Sequence, residues 1–208
     1  MDLRTQPARI PQREALISQR GMLLLDRDGV LIKERHYLND PDAVELESGA
    51  VELIALMNQH AIPVAVVSNQ SGLARGLISQ RQLDQVHQRL HSLLKEGGAH
   101  LDGIYVCPHH PEGSIKELRQ HCDCRKPRIA LLKQAAAAHA AKLQASLMVG
   151  DKLSDIEAGN RAGCSTVLVR TGYGQESEKA LDAASDLSDL SVPDAVMNSL
   201  YELYQQLA

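Results

Sequence analysis

Short apolar runs recur along the chain and separate longer amphipathic stretches. Each run is continuous rather than alternating, which is typical of strands buried on both faces of a sheet. The predicted strands are Met22–Leu25, Val64–Val67, Gly103–Cys107, Ser146–Gly150 and Thr166–Val169. A further short segment near Ser185–Leu190 is expected at the edge of the sheet.

Helical periodicity fills the intervals between these strands. Gly49 opens one helix, and Ser79 caps a longer one that Gly97 and Gly98 end. Further helices are expected over about 128–142 and 154–162, in the polar stretch after the Gly172/Gly174 turn, and from about residue 193 onward. The polar segment Lys33–Leu46 is predicted to be a flap or short hairpin, and Gln70–Gly76 a loop.

Strands that alternate with helices predict right-handed crossovers and a mainly parallel sheet. The expected fold class is therefore α/β, with a doubly wound sheet flanked by helices. The chain has no internal repeat and no long linker, so residues 21–208 are expected to form a single domain. Residues 1–20 contain Pro7 and Pro11 and are predicted to be a loose N-terminal arm.

Composition and charge exclude several classes of function. The 208 residues are 44% hydrophobic and 23% charged, as in globular proteins, but only 2% aromatic. The scarcity of aromatic platforms and the net charge of -4 argue against a nucleic-acid partner. The chain has no apolar run of membrane-spanning length and no apolar signal core, so a cytoplasmic protein without membrane partners is expected. The near absence of aromatic residues and of a long apolar surface helix favours a monomer.

Polar residues follow three of the predicted strands. Asp26 and Asp28 follow the first strand, Ser68 the second, and Asp151 the fourth, with Asp155 four residues further on. The carboxyl ends of parallel strands meet at one edge of a sheet, so these groups are expected to converge. Converging carboxylates repel one another unless a cation lies between them. Mg²⁺ prefers such oxygen ligands and suits phosphate substrates.

Three of the four cysteines fall in the loop 107–124. Disulfides are not expected in a cytoplasmic chain, whereas three thiolates and an imidazole form a tetrahedral set for a structural zinc ion, Zn²⁺. The expected zinc ligands are Cys107, His109, Cys122 and Cys124. His109 is favoured over His110 and His121 because alternate residues of an extended chain point to the same side. The alternative is a loop of reduced cysteines without metal.

Four segments resemble, in order, the motifs of the haloacid dehalogenase superfamily of phosphotransferases. They are Asp26-Arg27-Asp28-Gly29-Val30, Ser68-Asn69, Arg125-Lys126-Pro127, and Gly150-Asp151-Lys152 followed by Asp155. The resemblance covers residues 22 to about 172, and neither insertion point has room for a large cap domain. It implies a phosphatase that acts through a phosphorylated aspartate; a mutase or other phosphotransferase usually carries a large cap.

The resemblance also implies a role for each residue. Asp26 would be the nucleophile and Asp28 the general acid and base. Ser68 and Lys126 would stabilise the transferring phosphoryl group. Mg²⁺ would be held by the Asp26 carboxylate, the Asp28 backbone carbonyl and Asp151. Asp155 would either support these ligands or be an exposed carboxylate in a first helical turn, and Arg27 would be a spacer.

The zinc loop narrows the resemblance to the D,D-heptose 1,7-bisphosphate phosphatases and the related histidinol-phosphate phosphatases, which tend to have a shorter spacer. The substrate implied is a small sugar bisphosphate that loses its C7 phosphate on the route to the lipopolysaccharide core. Substrate contacts are then expected from Glu34, Arg35, His36, Tyr37, Asn69, Gln70, Ser71, Arg125 and Lys152. In the flap, His36 stands where this family is expected to have glycine. Two alternative substrates are histidinol phosphate and a different small sugar phosphate. The non-enzyme alternative is a zinc-stabilised interaction module without activity.

Overall fold

One parallel sheet forms the centre of the molecule. The computed structural model describes residues 10–183 and 191–208. Within these residues the strands are β1 Leu23–Leu25, β2 Val64–Asn69, β3 Gly103–Cys107, β4 Leu147–Gly150, β5 Ser165–Val169 and β6 Ala195–Met197. Their order across the sheet is β3-β2-β1-β4-β5-β6, and every pairing is parallel. The order reverses between β1 and β4, and such a switch point leaves a crevice beyond the strand ends.

Helices connect the strands and cover both faces of the sheet. They are α1 Arg13–Ser18, α2 Ala50–Gln59, α3 Ser71–Ala74, α4 Gln80–Glu96, α5 Ala130–Ala138, α6 Leu153–Ala162, α7 Gly174–Ala183 and α8 Leu200–Leu207. Single 3₁₀ turns lie at Pro41–Ala43, Lys116–Leu118 and Leu143–Ala145. The predicted α/β class with a doubly wound, parallel sheet flanked by helices is confirmed, and residues 10–183 and 191–208 contain no large cap domain.

Alternate residues of each central strand enter different hydrophobic clusters. Leu23 and Leu25 of β1 pack in the cluster that contains residues of α2, α4 and α8. Leu24 faces the opposite cluster, which contains residues of α5 and α6. Because both faces are covered, the strands are apolar at consecutive positions rather than at every second one. Within β1, β2 and β4, the polar residues are Ser68 and Asn69, at the carboxyl end of β2.

The flap after β1 is a short hairpin, as predicted. Ile32 and Leu46 form an antiparallel bridge, and the Lys33 amide donates to the Glu45 carbonyl oxygen at 2.9 Å. The segment predicted as a loop after β2 includes the short helix α3. As predicted, Ser79 caps α4, with Gln82 completing a reciprocal capping box.

Two predictions about helices differ from the structure. The alanine-rich helix α5 ends at Ala138, short of residue 142, because Ala140 adopts a left-handed backbone with φ of 50°. The last helix begins at Leu200 rather than near 193, since Ala195–Met197 pairs with β5 as the edge strand. The edge segment predicted near Ser185–Leu190 lies outside the described residues and stays a prediction.

The predicted N-terminal arm is only partly described, and its described part includes helix α1. Helix α1 buries Leu16 completely. The Arg13 guanidinium donates to the carbonyl oxygens of Leu207 at 3.1 Å and Ala208 at 2.9 Å. This part of the predicted arm is therefore packed against the C-terminal helix. Across the described ranges, none of the helices combines the length and apolar character needed to cross a membrane.

Candidate active site

Asp26 follows β1 at the switch point of the sheet, and its carboxylate meets a buried lysine. The side chain of Lys126 comes from the loop before α5 and places Nζ 2.9 Å from Oδ1 of Asp26. Both residues are buried. Burial favours the neutral carboxyl, but the charges of Lys126 and Lys152 outweigh it, and the pKa of Asp26 is lowered. The nucleophile predicted from the sequence is therefore ionised.

Lys126 is fixed from several sides. Its Nζ also lies 2.8 Å from Oδ1 of Asp155 and donates to the Val67 carbonyl oxygen at 2.6 Å. The Asn69 side chain accepts from the Lys126 amide at 3.0 Å and donates to its carbonyl oxygen at 3.1 Å. Burial would lower the pKa of Lys126, yet the carboxylates of Asp155 and Asp26 raise it. A charged ammonium thus lies beside the carboxylate of Asp26.

Asp151 and Asp155 place two more carboxylates beside Asp26. The three lie close enough for one ion, with one carboxylate oxygen from each within 4.8 Å of the others. Burial and the charges of Asp26 and Asp155 raise the pKa of Asp151 to about 8. Burial also raises the pKa of Asp155, partly opposed by Lys126. Asp155 is only 1% exposed, so its reading as an exposed carboxylate is wrong.

Asp151 and Asp155 differ in the hydrogen-bond partners of their carboxylate oxygens. Asp155 Oδ1 pairs with Lys126, and Oδ2 accepts from the Lys152 amide at 3.1 Å. Asp151 Oδ2 accepts from the Tyr173 amide at 2.9 Å, but Oδ1 is buried without a hydrogen-bond partner in the described residues. The nearest cation to that oxygen is Lys152 Nζ, 3.7 Å away. An unpartnered buried carboxylate oxygen beside two other acids fits a divalent cation.

Two glycines allow this cluster to form. Gly29 follows Asp28 with φ of 80°, and a Cβ there would lie 2.3 Å from Oδ2 of Asp151. Gly172 has φ of 54°, and a Cβ there would lie 2.5 Å from the Gly29 Cα. Side chains at either position would push the loop after β1 away from Asp151.

Asp28 is held by a polar network rather than facing the cavity alone. The Arg27 guanidinium donates to both of its carboxylate oxygens at 2.9 to 3.2 Å. Gln70 Nε2 donates to Asp28 at 2.8 Å and to Ser68 Oγ at 2.9 Å. Arg27 is 1% exposed, so the reading of this residue as a spacer is wrong. The network connects the ends of β1 and β2.

A cavity of about 230 Å³ opens over Asp26. Its walls include most of the predicted catalytic and substrate residues: Asp26, Asp28, Glu34, His36, Tyr37, Ser68, Asn69, Gln70, Ser71, Lys126 and Lys152. On one side the flap meets Tyr173, whose hydroxyl lies 2.9 Å from Nδ1 of His36. Lys152 Nζ lies 4.5 Å above the Tyr173 ring and 3.5 Å from Glu34. The cavity therefore combines the Asp26 carboxylate with cationic and hydroxyl groups that suit a phosphorylated polyol.

Two predicted substrate residues lie outside this cavity. Arg35 is turned outward and pairs with Glu45 on the flap. Arg125 points toward the zinc loop, where Nη1 donates to the His109 carbonyl oxygen at 3.4 Å. It lines a separate basic cavity of about 370 Å³ together with His121, Arg128 and Arg161. The guanidinium of Arg125 thus contacts the cysteine-rich loop 107–124 and does not line the cavity over Asp26.

The four expected zinc ligands come together as predicted. Their donor atoms lie within 4.8 Å of one another, with Sγ–Sγ distances of 3.1 to 3.5 Å and His109 Nδ1 3.3 Å from Cys124 Sγ. All four cysteines of the chain are free thiols. Donors around one zinc ion at ordinary bond lengths lie about 3.3 to 3.8 Å apart. The cluster therefore fits a closed, four-ligand metal site.

Without a metal, the pKa shifts of the three thiols differ: hydrogen bonds from Cys124 and Cys107 lower the pKa of Cys122 against the effect of burial, whereas the pKa values of Cys107 and Cys124 are raised. Burial raises the pKa of Cys107, and hydrogen bonding with the neighbouring Cys124 raises it further. Burial likewise raises the pKa of Cys124. A divalent cation would reverse the upward shifts, because it stabilises the thiolate.

The structure adds Arg27, His87 and Tyr173 to the site. Arg27 stands inside the first motif, and its two flanking aspartates were a signal that it could be paired. His87 lies on α4 and contacts Arg27 from 60 positions away in the chain. Tyr173 follows the Gly172 turn after β5. No local pattern distinguishes His87 or Tyr173 from other polar surface residues.

Comparisons with known proteins agree with this geometry. Residues 123–203 match the family described as HAD-hydrolase-like. The chain is 40% identical to the D-glycero-beta-D-manno-heptose-1,7-bisphosphate 7-phosphatase of Salmonella typhi, over 84% of this chain and 94% of the relative. It is 39% identical to the enzyme of the same name from Escherichia coli K12, over 84% of this chain and 92% of the relative. The solved D,D-heptose 1,7-bisphosphate phosphatase from B. bronchiseptica, complexed with magnesium and phosphate, is 32% identical with a TM-score of 0.77. That match covers 90% of this chain and 97% of the solved one.

Proposed function

Because the chain belongs to the D-glycero-D-manno-heptose 1,7-bisphosphate 7-phosphatase family of haloacid-dehalogenase-like hydrolases, we propose that it removes the C7 phosphate of that sugar bisphosphate. It is a phosphoric monoester hydrolase, and its product is heptose 1-phosphate, a precursor of the lipopolysaccharide core. The single observation that supports this best is the ionised Asp26 beside buried Lys126 in a polar cavity at the sheet's switch point. Family membership then identifies the substrate class.

The first chemical step is attack by Asp26 on phosphorus. A bond forms between an Asp26 carboxylate oxygen and phosphorus while the bond from phosphorus to the C7 oxygen breaks. Asp28 donates a proton to that departing oxygen, so the sugar leaves as a neutral alcohol. Lys126 and Ser68 bind the equatorial phosphoryl oxygens, where the charge is spread during transfer.

The second step regenerates the enzyme. Asp28, now ionised, takes a proton from a water molecule as its oxygen attacks the phosphorus of phosphorylated Asp26. The bond from Asp26 to phosphorus breaks, and inorganic phosphate leaves. Two moderate barriers thereby replace one high barrier. Asp155 keeps the Lys126 ammonium in place through both steps, since it is the second carboxylate on Nζ.

We propose Mg²⁺ as the catalytic cofactor, held by the Asp26 carboxylate, the Asp28 backbone carbonyl and Asp151. The support is the unpartnered Oδ1 of Asp151 and the group of three buried acids. When bound, the ion neutralises carboxylate and phosphoryl charge and so favours approach of the dianionic substrate. Both oxygens of Asp155 are already engaged, which supports a positioning role for that residue.

We propose Zn²⁺ as a structural cofactor on Cys107, His109, Cys122 and Cys124. Four protein ligands leave no open position for chemistry. The loop they close leads directly into Arg125 and Lys126, so the ion would hold the start of the Lys126 loop. Three free thiols within 3.5 Å of one another support this proposal.

Glu34, His36, Tyr37, Ser71 and Lys152 are proposed to contact the sugar and its second phosphate. Lys152 supplies a cation on the cavity wall. Burial lowers the pKa of Lys152, but the surrounding carboxylates outweigh this effect and raise it. The flap supplies hydrogen-bonding groups for hydroxyls. A monomeric state, a cytoplasmic location and the absence of nucleic-acid partners stay predictions.

A phosphate-release assay tests the proposed function. Heptose 1,7-bisphosphate, histidinol phosphate and a hexose monophosphate are compared with and without Mg²⁺, using kcat/KM for each. The expected result is Mg²⁺-dependent turnover in which the heptose bisphosphate exceeds the others by at least about 100-fold. A preference for histidinol phosphate would overturn the substrate while leaving the mechanism in place. No turnover of any phosphate ester would favour the zinc-stabilised interaction module.

A further inference from the structure

The buried guanidinium of Arg27 is met by acceptors in three directions. Its Nε and Nη2 donate to the Asp28 carboxylate at 2.9 to 3.2 Å, and Nη2 also donates to Gln70 Oε1 at 3.1 Å. The remaining nitrogen, Nη1, lies 3.0 Å from Nε2 of His87. A buried arginine needs acceptors for its N–H groups, because unpaired charged donors are costly away from water. His87 supplies the acceptor that no other element provides for Nη1 in the described structure.

The contact fixes the chemical state of His87. A guanidinium has no acceptor atom and does not lose its proton, so Nε2 of His87 must present its lone pair. The ring is therefore neutral and carries its proton on Nδ1. Burial and the Arg27 charge lower the pKa of His87 to about 4, against the opposing influence of Asp28 and Asp84. His91, on the next turn of α4, lowers it slightly further.

His87 thereby ties the acid–base residue to a long helix. Helix α4 spans Gln80–Glu96 and packs into the core through Leu83, Val86, Leu90 and Leu94. From this rigid element the contacts run through Arg27 to both oxygens of Asp28. Gln70 closes the network, because its amide is oriented by Arg27 on one side and by Asp28 and Ser68 on the other.

We propose that His87 is a positioning residue for the hydrolysis: through Arg27 it holds the carboxylate of Asp28 where the leaving oxygen and the attacking water must exchange protons. This inference rests on the proposed function and deepens it. His87 touches neither the cavity nor the nucleophile. Its effect should therefore be confined to the proton-transfer steps, with substrate binding left unchanged.

Two variants of His87 test the proposal by steady-state kinetics on heptose 1,7-bisphosphate. His87→Leu keeps the bulk but removes the acceptor, and His87→Gln restores an acceptor oxygen. We expect kcat to fall about 10- to 100-fold in His87→Leu with KM within about threefold of wild type, and His87→Gln to recover most of the loss. His91→Leu, at an exposed position one turn further along the same helix, should match wild type.

Three results would overturn the proposal: an unchanged kcat in His87→Leu, a raised KM with kcat maintained, or a His87→Gln enzyme as slow as His87→Leu. Wild-type turnover in the same assay separates the outcomes, because its absence is a failure of the proposed function and not of the role of His87.

A measurement on the wild-type protein covers the case in which His87→Leu does not fold. Nitrogen NMR of the histidine rings at pH 6 reports the protonation of each nitrogen without any substrate. We expect His87 to be neutral with its proton on Nδ1. A proton on Nε2, in either a neutral or a doubly protonated ring, would overturn the proposal, because such a nitrogen cannot accept from Arg27.

Discussion

Lys126 Nζ lies 2.9 Å from Oδ1 of Asp26, although the two residues are 100 positions apart in the chain. Both are buried, and Asp155 lies on the other side of the ammonium at 2.8 Å. One cation thus serves two carboxylates. Its loss would leave two buried negative charges facing each other, so Lys126 supports the fold as well as the chemistry.

Lys126→Met should lower both activity and stability. The loss of charge at the phosphoryl group should reduce kcat by about 10²- to 10³-fold. The unpaired carboxylates of Asp26 and Asp155 should reduce the free energy of unfolding by about 3 to 5 kcal/mol. Denaturant unfolding and phosphate release measure the two effects. Lys133→Met, on the exposed side of α5, is the matched control, and equal behaviour of the two variants would contradict the prediction.

Stability should depend on pH in a direction set by Asp151. Its folded-state pKa of about 8 lies above the unfolded value near 3.8, so the folded protein holds the proton more tightly. In buffer without divalent cations, the free energy of unfolding should therefore fall by a few kcal/mol as the pH rises from about 5 to 8. Asp155, whose pKa is also raised, acts in the same direction.

Denaturant unfolding at several pH values checks this dependence. Millimolar Mg²⁺ should flatten the fall, because the ion replaces the proton at the acids. Asp151→Asn should flatten it without Mg²⁺. A free energy of unfolding that stays constant or rises over this range in the Mg²⁺-free wild type would show that Asp151 is ionised throughout.

The proposed zinc site in the loop 107–124 leads to a prediction of the zinc content of the purified protein. The purified wild type should carry about one equivalent of zinc, and Cys122→Ser should lose most of it, because a closed site needs all four ligands. Elemental analysis measures this directly. Cys164→Ala is the control, since Cys164 lies outside the cluster. Retention of a full equivalent in Cys122→Ser would remove that residue from the ligand set.

The contact between the Tyr173 hydroxyl and the flap residue His36 should affect substrate binding. His36 and Tyr37 both adopt left-handed backbones, with φ of 43° and 48°, and the Tyr173 hydroxyl meets His36 at 2.9 Å. Tyr173→Phe should loosen the flap and raise KM about three- to tenfold with kcat nearly unchanged. Tyr201→Phe, an exposed tyrosine on α8, serves as the control. An unchanged KM in Tyr173→Phe would show that the flap is held by other contacts.

Strong local signals explain what the sequence predicted. The runs ending near Asp26, Ser68 and Asp151 are apolar because the sheet is covered on both faces, and the polar residue at each end must therefore face the crevice. The paired spacing of Cys107 with His109 and of Cys122 with Cys124 likewise predicted the four residues that come together in one cluster. Each of these features depends on residues at adjacent or alternate positions, so a short stretch of sequence is enough to predict it.

The features that the sequence did not predict lack such local signals. The alanine run of α5 contains no stop signal, since the left-handed turn occurs at Ala140 rather than at a glycine. The edge strand Ala195–Met197 is short, and its neighbouring residues suit a helix start equally well. The contacts of Arg27 with His87 and of Arg13 with the C-terminus join distant segments. Periodicity and spacing carry no information about such pairings.

The most direct test of the account is the activity of Asp26→Asn on heptose 1,7-bisphosphate. The asparagine has the same shape and can still accept from Lys126, so the fold should be retained, but its amide cannot take up the phosphoryl group. We predict that kcat/KM for phosphate release falls at least about 10³-fold in the variant, as expected when a nucleophile is removed. A variant that releases phosphate within about tenfold of the wild-type rate would contradict Asp26 as the nucleophile.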